Sequence, residues 1–101
     1  MTIKQIKVSS MKSSNGNDVP NQFTIRVKTE NENQVAFDEI YFQSYNSIIA
    51  KKDFDGSITL DKNTWDYSTT TGKYRNQFLG EGIAETRKKI ENGTYLLVDL
   101  N

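Results

Sequence analysis

The chain has 101 residues, no cysteine, no histidine and one proline, and its 13 Lys and Arg balance 13 Asp and Glu. A domain of this size buries about 60–65% of its unfolded surface, enough for one modest core and no second domain. The missing residue types exclude a disulfide framework, a thiol nucleophile, a zinc–thiolate site, a Ser–His dyad and an imidazole metal ligand.

The first strand is predicted over Ile3–Val8, although Ile3 is out of phase with Ile6 and Val8. Ser9–Asn21 is rich in Ser, Asn and Gly, and Ser13–Asp18 within it reads as a mobile hairpin loop. Phe23–Lys28 alternates cleanly, with Phe23, Ile25 and Val27 on one face and Thr24, Arg26 and Lys28 on the other. Glu30–Asn33 is a polar turn. Val35 and Phe37 then share a face, but Ile40 and Phe42 fall on the opposite parity. A bulge or break at Asp38–Glu39 would reconcile the two halves.

Tyr41–Tyr45 is strand-like, Asn46–Ser47 turns the chain, and Ile48–Ala50 opens another strand. Asp55-Gly56 is a hairpin signal, after which Ile58 and Leu60 share a face. Ser68 or Thr69 can cap a helix running to Phe78 or Leu79, with Tyr74 and Phe78 facing inward and Gly72 weakening its middle. Gly80-Glu81-Gly82 breaks that helix, and Ile83–Glu91 forms a second one stopped by Asn92-Gly93. Tyr95–Val98 reads as a well-buried final strand. The order predicts an α+β domain, a small antiparallel sheet with two short helices packed on one side.

Five Phe, five Tyr and Trp65 compensate for a hydrophobic content of only 35%, because large rings bury much area per residue. No run approaches the roughly 20 apolar residues that span a bilayer, and the N-terminus lacks the apolar stretch of a secretory signal. A cytoplasmic location is the expectation.

Asp53-Phe54-Asp55-Gly56 looks like a fragment of a calcium loop, but the twelfth position from Asp53 is Thr64 rather than the Glu such a loop needs. It reads as a charged hairpin tip. Gly80-Glu81-Gly82 lacks the remainder of a nucleotide fingerprint and any P-loop lysine. No metal or cofactor is expected, and the available acid–base groups point away from an enzyme.

Charge is unevenly spread. Residues 1–30 carry a net +3, residues 31–66 a net −4 and residues 67–101 a net +1. If their loops converge, Asp38, Glu39, Asp53, Asp55, Asp61 and Asp66 form a negative surface complementary to a basic, nucleic-acid-binding partner. The alternative site is a cationic and aromatic helical face, with Lys73, Arg75, Arg87, Lys88 and Lys89 contacting nucleic acid directly. An exposed sheet edge could also support a dimer.

The string Tyr41-Phe42-Gln43-Ser44-Tyr45-Asn46-Ser47-Ile48-Ile49-Ala50, followed by Trp65-Asp66-Tyr67-Ser68 and Lys73-Tyr74-Arg75, resembles a group of small phage and prophage proteins of Gram-positive bacteria. The resemblance extends over about residues 39–101 and carries no catalytic residue. Small phage proteins of this kind often serve host takeover or counter-defence. Some anti-CRISPR proteins of this size block Cas9 by occupying its nucleic-acid-binding surfaces. The resemblance thus implies a non-catalytic inhibitor in the bacterial host's cytoplasm, with Cas9 or its guide-RNA complex as partner. The alternative is a small nucleic-acid-binding accessory protein.

Overall fold

A computed structural model describes residues 1–101. Six strands, β1 (Thr2–Lys12), β2 (Asp18–Glu30), β3 (Ala36–Ser44), β4 (Ser47–Lys52), β5 (Ile58–Asp61) and β6 (Leu96–Val98), form one sheet whose spatial order is the chain order. Two helices, α1 (Thr69–Leu79) and α2 (Ile83–Glu91), connect β5 to β6. The α+β class and the helix pair follow the sequence expectation. The sheet is mixed rather than purely antiparallel, because the two-helix crossover returns β6 parallel to β5.

Local chemistry explains the turns. Asn31 Oδ1 accepts the backbone N–H groups of Asn33 and Val35 at 2.9 and 3.0 Å, closing the β2–β3 hairpin. Asp55 Oδ1 accepts the Ser57 N–H at 2.9 Å beside Gly56, whose φ of 87° favours glycine. Ser68 caps α1 by accepting the Thr71 N–H at 3.1 Å. Gly80 ends α1 in the left-handed conformation, its N–H bonded to the Asn76 carbonyl at 2.8 Å.

The core lies between the helices and one end of the sheet. Phe42, Ile49, Ala50 and Leu60 are fully buried. A bulge between β3 and β4 lets adjacent residues Ile49 and Ala50 both turn inward. Phe78 stacks on Phe42 with ring centroids 5.8 Å apart. The buried hydroxyls of Ser44 and Thr71 bond at 2.8 Å, tying β3 to α1. A Cβ at Gly72 would meet the Arg75 guanidinium at 3.6 Å, an ordinary van der Waals contact.

Several expectations change. The expected loop Ser9–Asn21 is mostly strand, with only residues 13–17 turning. Met11 is buried and Val19 packs on the core, which anchors these polar stretches in the ladder. No break occurs at Asp38–Glu39, since the β2–β3 register runs uninterrupted from Gln22–Ser44 to Glu30–Ala36. Strand β3 is instead apolar on both faces: Phe42 packs under α1, and Phe37 meets Phe54 on the other side. The last strand is exposed at Leu96, Leu97 and Val98, because it is a short edge strand, and only Tyr95 before it is buried.

Candidate interaction surface

The β1–β2 hairpin is amphipathic in an unusual sense: its apolar face points away from the helices. Register places Ile6 opposite Val27, Val8 opposite Ile25, and Ser10 opposite Phe23. A shift between Ile3 and Gln5 makes Lys4 an extra residue, and this returns Ile3 to the same face, opposite Thr29. The out-of-phase Ile3 of the sequence is thereby brought into line. Strand β3 continues the surface with Tyr41 beside Ile25 and Phe37 beside Thr29. No helix covers this side. Ile3, Ile6 and Val8 are 58–60% exposed, and Phe54 is 64% exposed.

One margin of this apolar face is acidic. The β3–β4 register pairs Ile40 with Lys52, so Glu39 and Asp53 approach each other at the far end of the sheet. Tyr41 Oη donates to Glu39 at 2.8 Å, and Lys51 pairs with Asp53 at 3.3 Å. Burial, the Glu39 hydrogen bond and the charges of Glu39 and Asp53 push the Tyr41 hydroxyl up to about 12. Asp55 sits at the adjacent hairpin tip, where hydrogen bonds from the Ser57 hydroxyl and N–H lower its pKa.

Of the six candidate acidic residues, the structure gathers Glu39, Asp53 and Asp55 here. Asp38 is their neighbour in sequence but turns to the helix side, where it meets Arg26 at 3.4 Å. Asp61 leaves the surface entirely. It is fully buried and accepts hydrogen bonds from the Asn63, Thr64 and Leu100 N–H groups at 3.1, 2.9 and 2.8 Å. Asp66 lies apart, between Arg75 and Arg87 at 3.0 and 3.2 Å.

The candidate cations divide likewise. Lys73, Arg75 and Arg87 line an open cleft of about 640 Å³ at the N-terminal half of α1, with Asp66 among them. Arg75 is only 2% exposed and donates to the Trp65 carbonyl, Asp66 and Asn76, so its charge is spent inside the fold. Lys89 pairs with Glu81 at 2.7 Å and lies over the Tyr95 ring. Lys88 is exposed and outside the cleft. Side-chain length and register, invisible in a linear reading, decide which charges reach solvent.

These features define a small mixed-sheet α+β domain with one helix-covered and one bare apolar region. The chain belongs to the DUF8033 family, a family of unknown function whose model matches residues 2–93. No curated protein and no solved structure matches it. No helix is long and apolar enough to cross a membrane.

Proposed function

We propose that the chain is a non-catalytic interaction protein that works by docking on a macromolecular partner, most concretely as a phage-encoded counter-defence protein that occupies Cas9 and blocks its DNA binding or cleavage. The observation that supports docking is the bare apolar face formed by Ile3, Ile6, Val8, Ile25 and Val27. Exposed contiguous apolar surface of this kind marks an association site. The acidic margin at Glu39, Asp53 and Asp55 would complement a basic surface and set the orientation of binding. The choice of Cas9 rests on the resemblance to small phage proteins.

The mechanism is stoichiometric occlusion. The apolar face supplies affinity by excluding water, and the carboxylates stand where phosphate oxygens would otherwise meet the partner's cations. A Cas9 DNA-cleavage assay with increasing protein tests this reading. Inhibition is expected to be complete near equimolar protein, and Val8→Lys with Ile25→Glu, an opposite-charge pair across the ladder, is expected to abolish the effect while the protein stays folded. Uninhibited cleavage at large excess over several Cas9 types overturns the choice of partner. Inhibition that survives the double variant overturns the choice of surface.

A further inference from the structure

The helix-facing side of the β1–β2 flank carries like charges in register. Lys7 stands opposite Arg26, Arg26 opposite Ile40, and Ile40 opposite Lys52, which makes one transverse row across four strands. The next row toward the β2–β3 turn adds Lys28, opposite Asp38. Lys7, Arg26 and Lys52, with Ser9, Thr24 and Phe78, border a groove of about 370 Å³ beside the C-terminal half of α1. Lys7 and Lys52 form no ion pair, and Arg26 reaches only Asp38, at 3.4 Å. The Lys52 ammonium lies over the Phe78 ring, 5.1 Å from its centroid.

Lys7 and Arg26 are directly opposed, and like charges so placed on neighbouring strands destabilise a sheet. Three cations in one concave strip, two of them opposed, attract an anionic ligand laid along it. We propose that this groove binds the phosphodiester backbone of a single-stranded nucleic acid. From β1 to β4 the row spans about 14 Å, long enough for a short run of successive phosphates. The guanidinium of Arg26 offers paired donors between two ammonium groups. The Ser9 and Thr24 hydroxyls supply further donors of the kind that contact phosphate oxygens. Phe78, at the groove wall, offers an aromatic surface to a base once Lys52 turns to a phosphate. The site uses the sheet face opposite the docking surface and requires no protein partner.

Fluorescence anisotropy with a dye-labelled oligothymidylate of about 15 nucleotides, a length within the range such grooves cover, tests the proposal. Binding at low salt is expected, with log affinity falling against log salt at a slope of about −2, the value for three neutralised phosphates on a single strand. The double variant Lys7→Gln, Lys52→Gln is expected to bind at least tenfold more weakly, with a melting temperature unchanged or raised because the opposed charges are relieved. Lys62→Gln, outside the groove, is expected to bind as the parent does. No anisotropy change at micromolar protein overturns the proposal. So does undiminished binding by the double variant, or equal competition by polyglutamate of the same charge, which would mark the groove as a site for acidic peptides.

Discussion

Asp61 and Leu100 are joined across the end of the sheet, the buried carboxylate accepting the Leu100 N–H at 2.8 Å. Oδ1 accepts from Leu100 and Oδ2 from Asn63 and Thr64, so one side chain fixes both the turn after β5 and the C-terminal tail. Burial opposes its charge, but the hydrogen bonds from Leu100, Thr64, Asn101 and Asn63 outweigh it, and the carboxyl sits below its ordinary value of 3.8. A depressed folded-state pKa contributes stability that is present above 3.8 and lost as pH falls through the folded value. Asp61→Asn is expected to cost about 1–3 kcal/mol at neutral pH by leaving buried donors unpaired. It should also weaken the acid dependence. Urea denaturation at a series of pH values from neutral to strongly acid measures both, and an unchanged acid limb in the variant counts against this role.

Glu81 gathers a second buried network. It accepts from the Thr86 hydroxyl, the Lys89 ammonium and the Tyr95 hydroxyl at 2.7, 2.7 and 2.8 Å. Burial disfavours its charge, yet these three donors hold its pKa below the ordinary 4.5. Glu81→Ala is expected to cost about 2–4 kcal/mol, since Thr86 and Tyr95 are left buried without partners. Near-parent stability by thermal melting would show that the α1–α2 junction does not depend on this carboxylate.

Aromatic truncation should separate core from surface. Phe42→Ala is expected to cost about 3–5 kcal/mol, a large share of a small domain's stability. Trp65→Ala and Phe78→Ala, at half-buried rings, should each cost less. Ile6→Thr, on the bare face, should stay within about 0.5 kcal/mol. Denaturant midpoints rank the four, and an Ile6 effect as large as that of Phe42 would mean this face is covered in solution.

The half-buried Tyr41 hydroxyl should stay protonated beyond the ordinary tyrosine range. Its hydroxyl is raised from 10 to about 12, so ionisation is favoured in the unfolded chain. Stability is therefore expected to decline as pH climbs from 10 toward 12, and Tyr41→Phe should remove that part of the decline. Ultraviolet difference titration of parent and variant checks this, the variant being expected to lose an ionisation near pH 12.

The helices were readable because their signals are local. Ser68, Gly80 and the Ile83–Glu91 span each state a boundary within a turn of chain. Phe23–Lys28 was readable because both its faces alternate. Met11 and Val19 were hidden within Ser- and Asn-rich sequence, since each is one apolar residue whose burial depends on core residues far along the chain. Phe37 and Phe42 looked like a phase error because a strand apolar on both sides has no single period. The charged sites were less legible still. Asp61, Arg75 and Lys89 resemble surface charges until their internal partners are known. Lys7, Arg26 and Lys52 become a row only through pairing of strands far apart in sequence.

The agreement between strand order and chain order has a consequence for biosynthesis. A nascent chain leaving the ribosome can zip each new strand onto the one before it, with a short loop to close each time. Only β6 must wait, since it returns across both helices, and Asn101 then clamps back onto Ile48. Premature termination before Thr69 would therefore release a ladder whose Phe42 side lacks its roof, a sticky fragment rather than a working miniature.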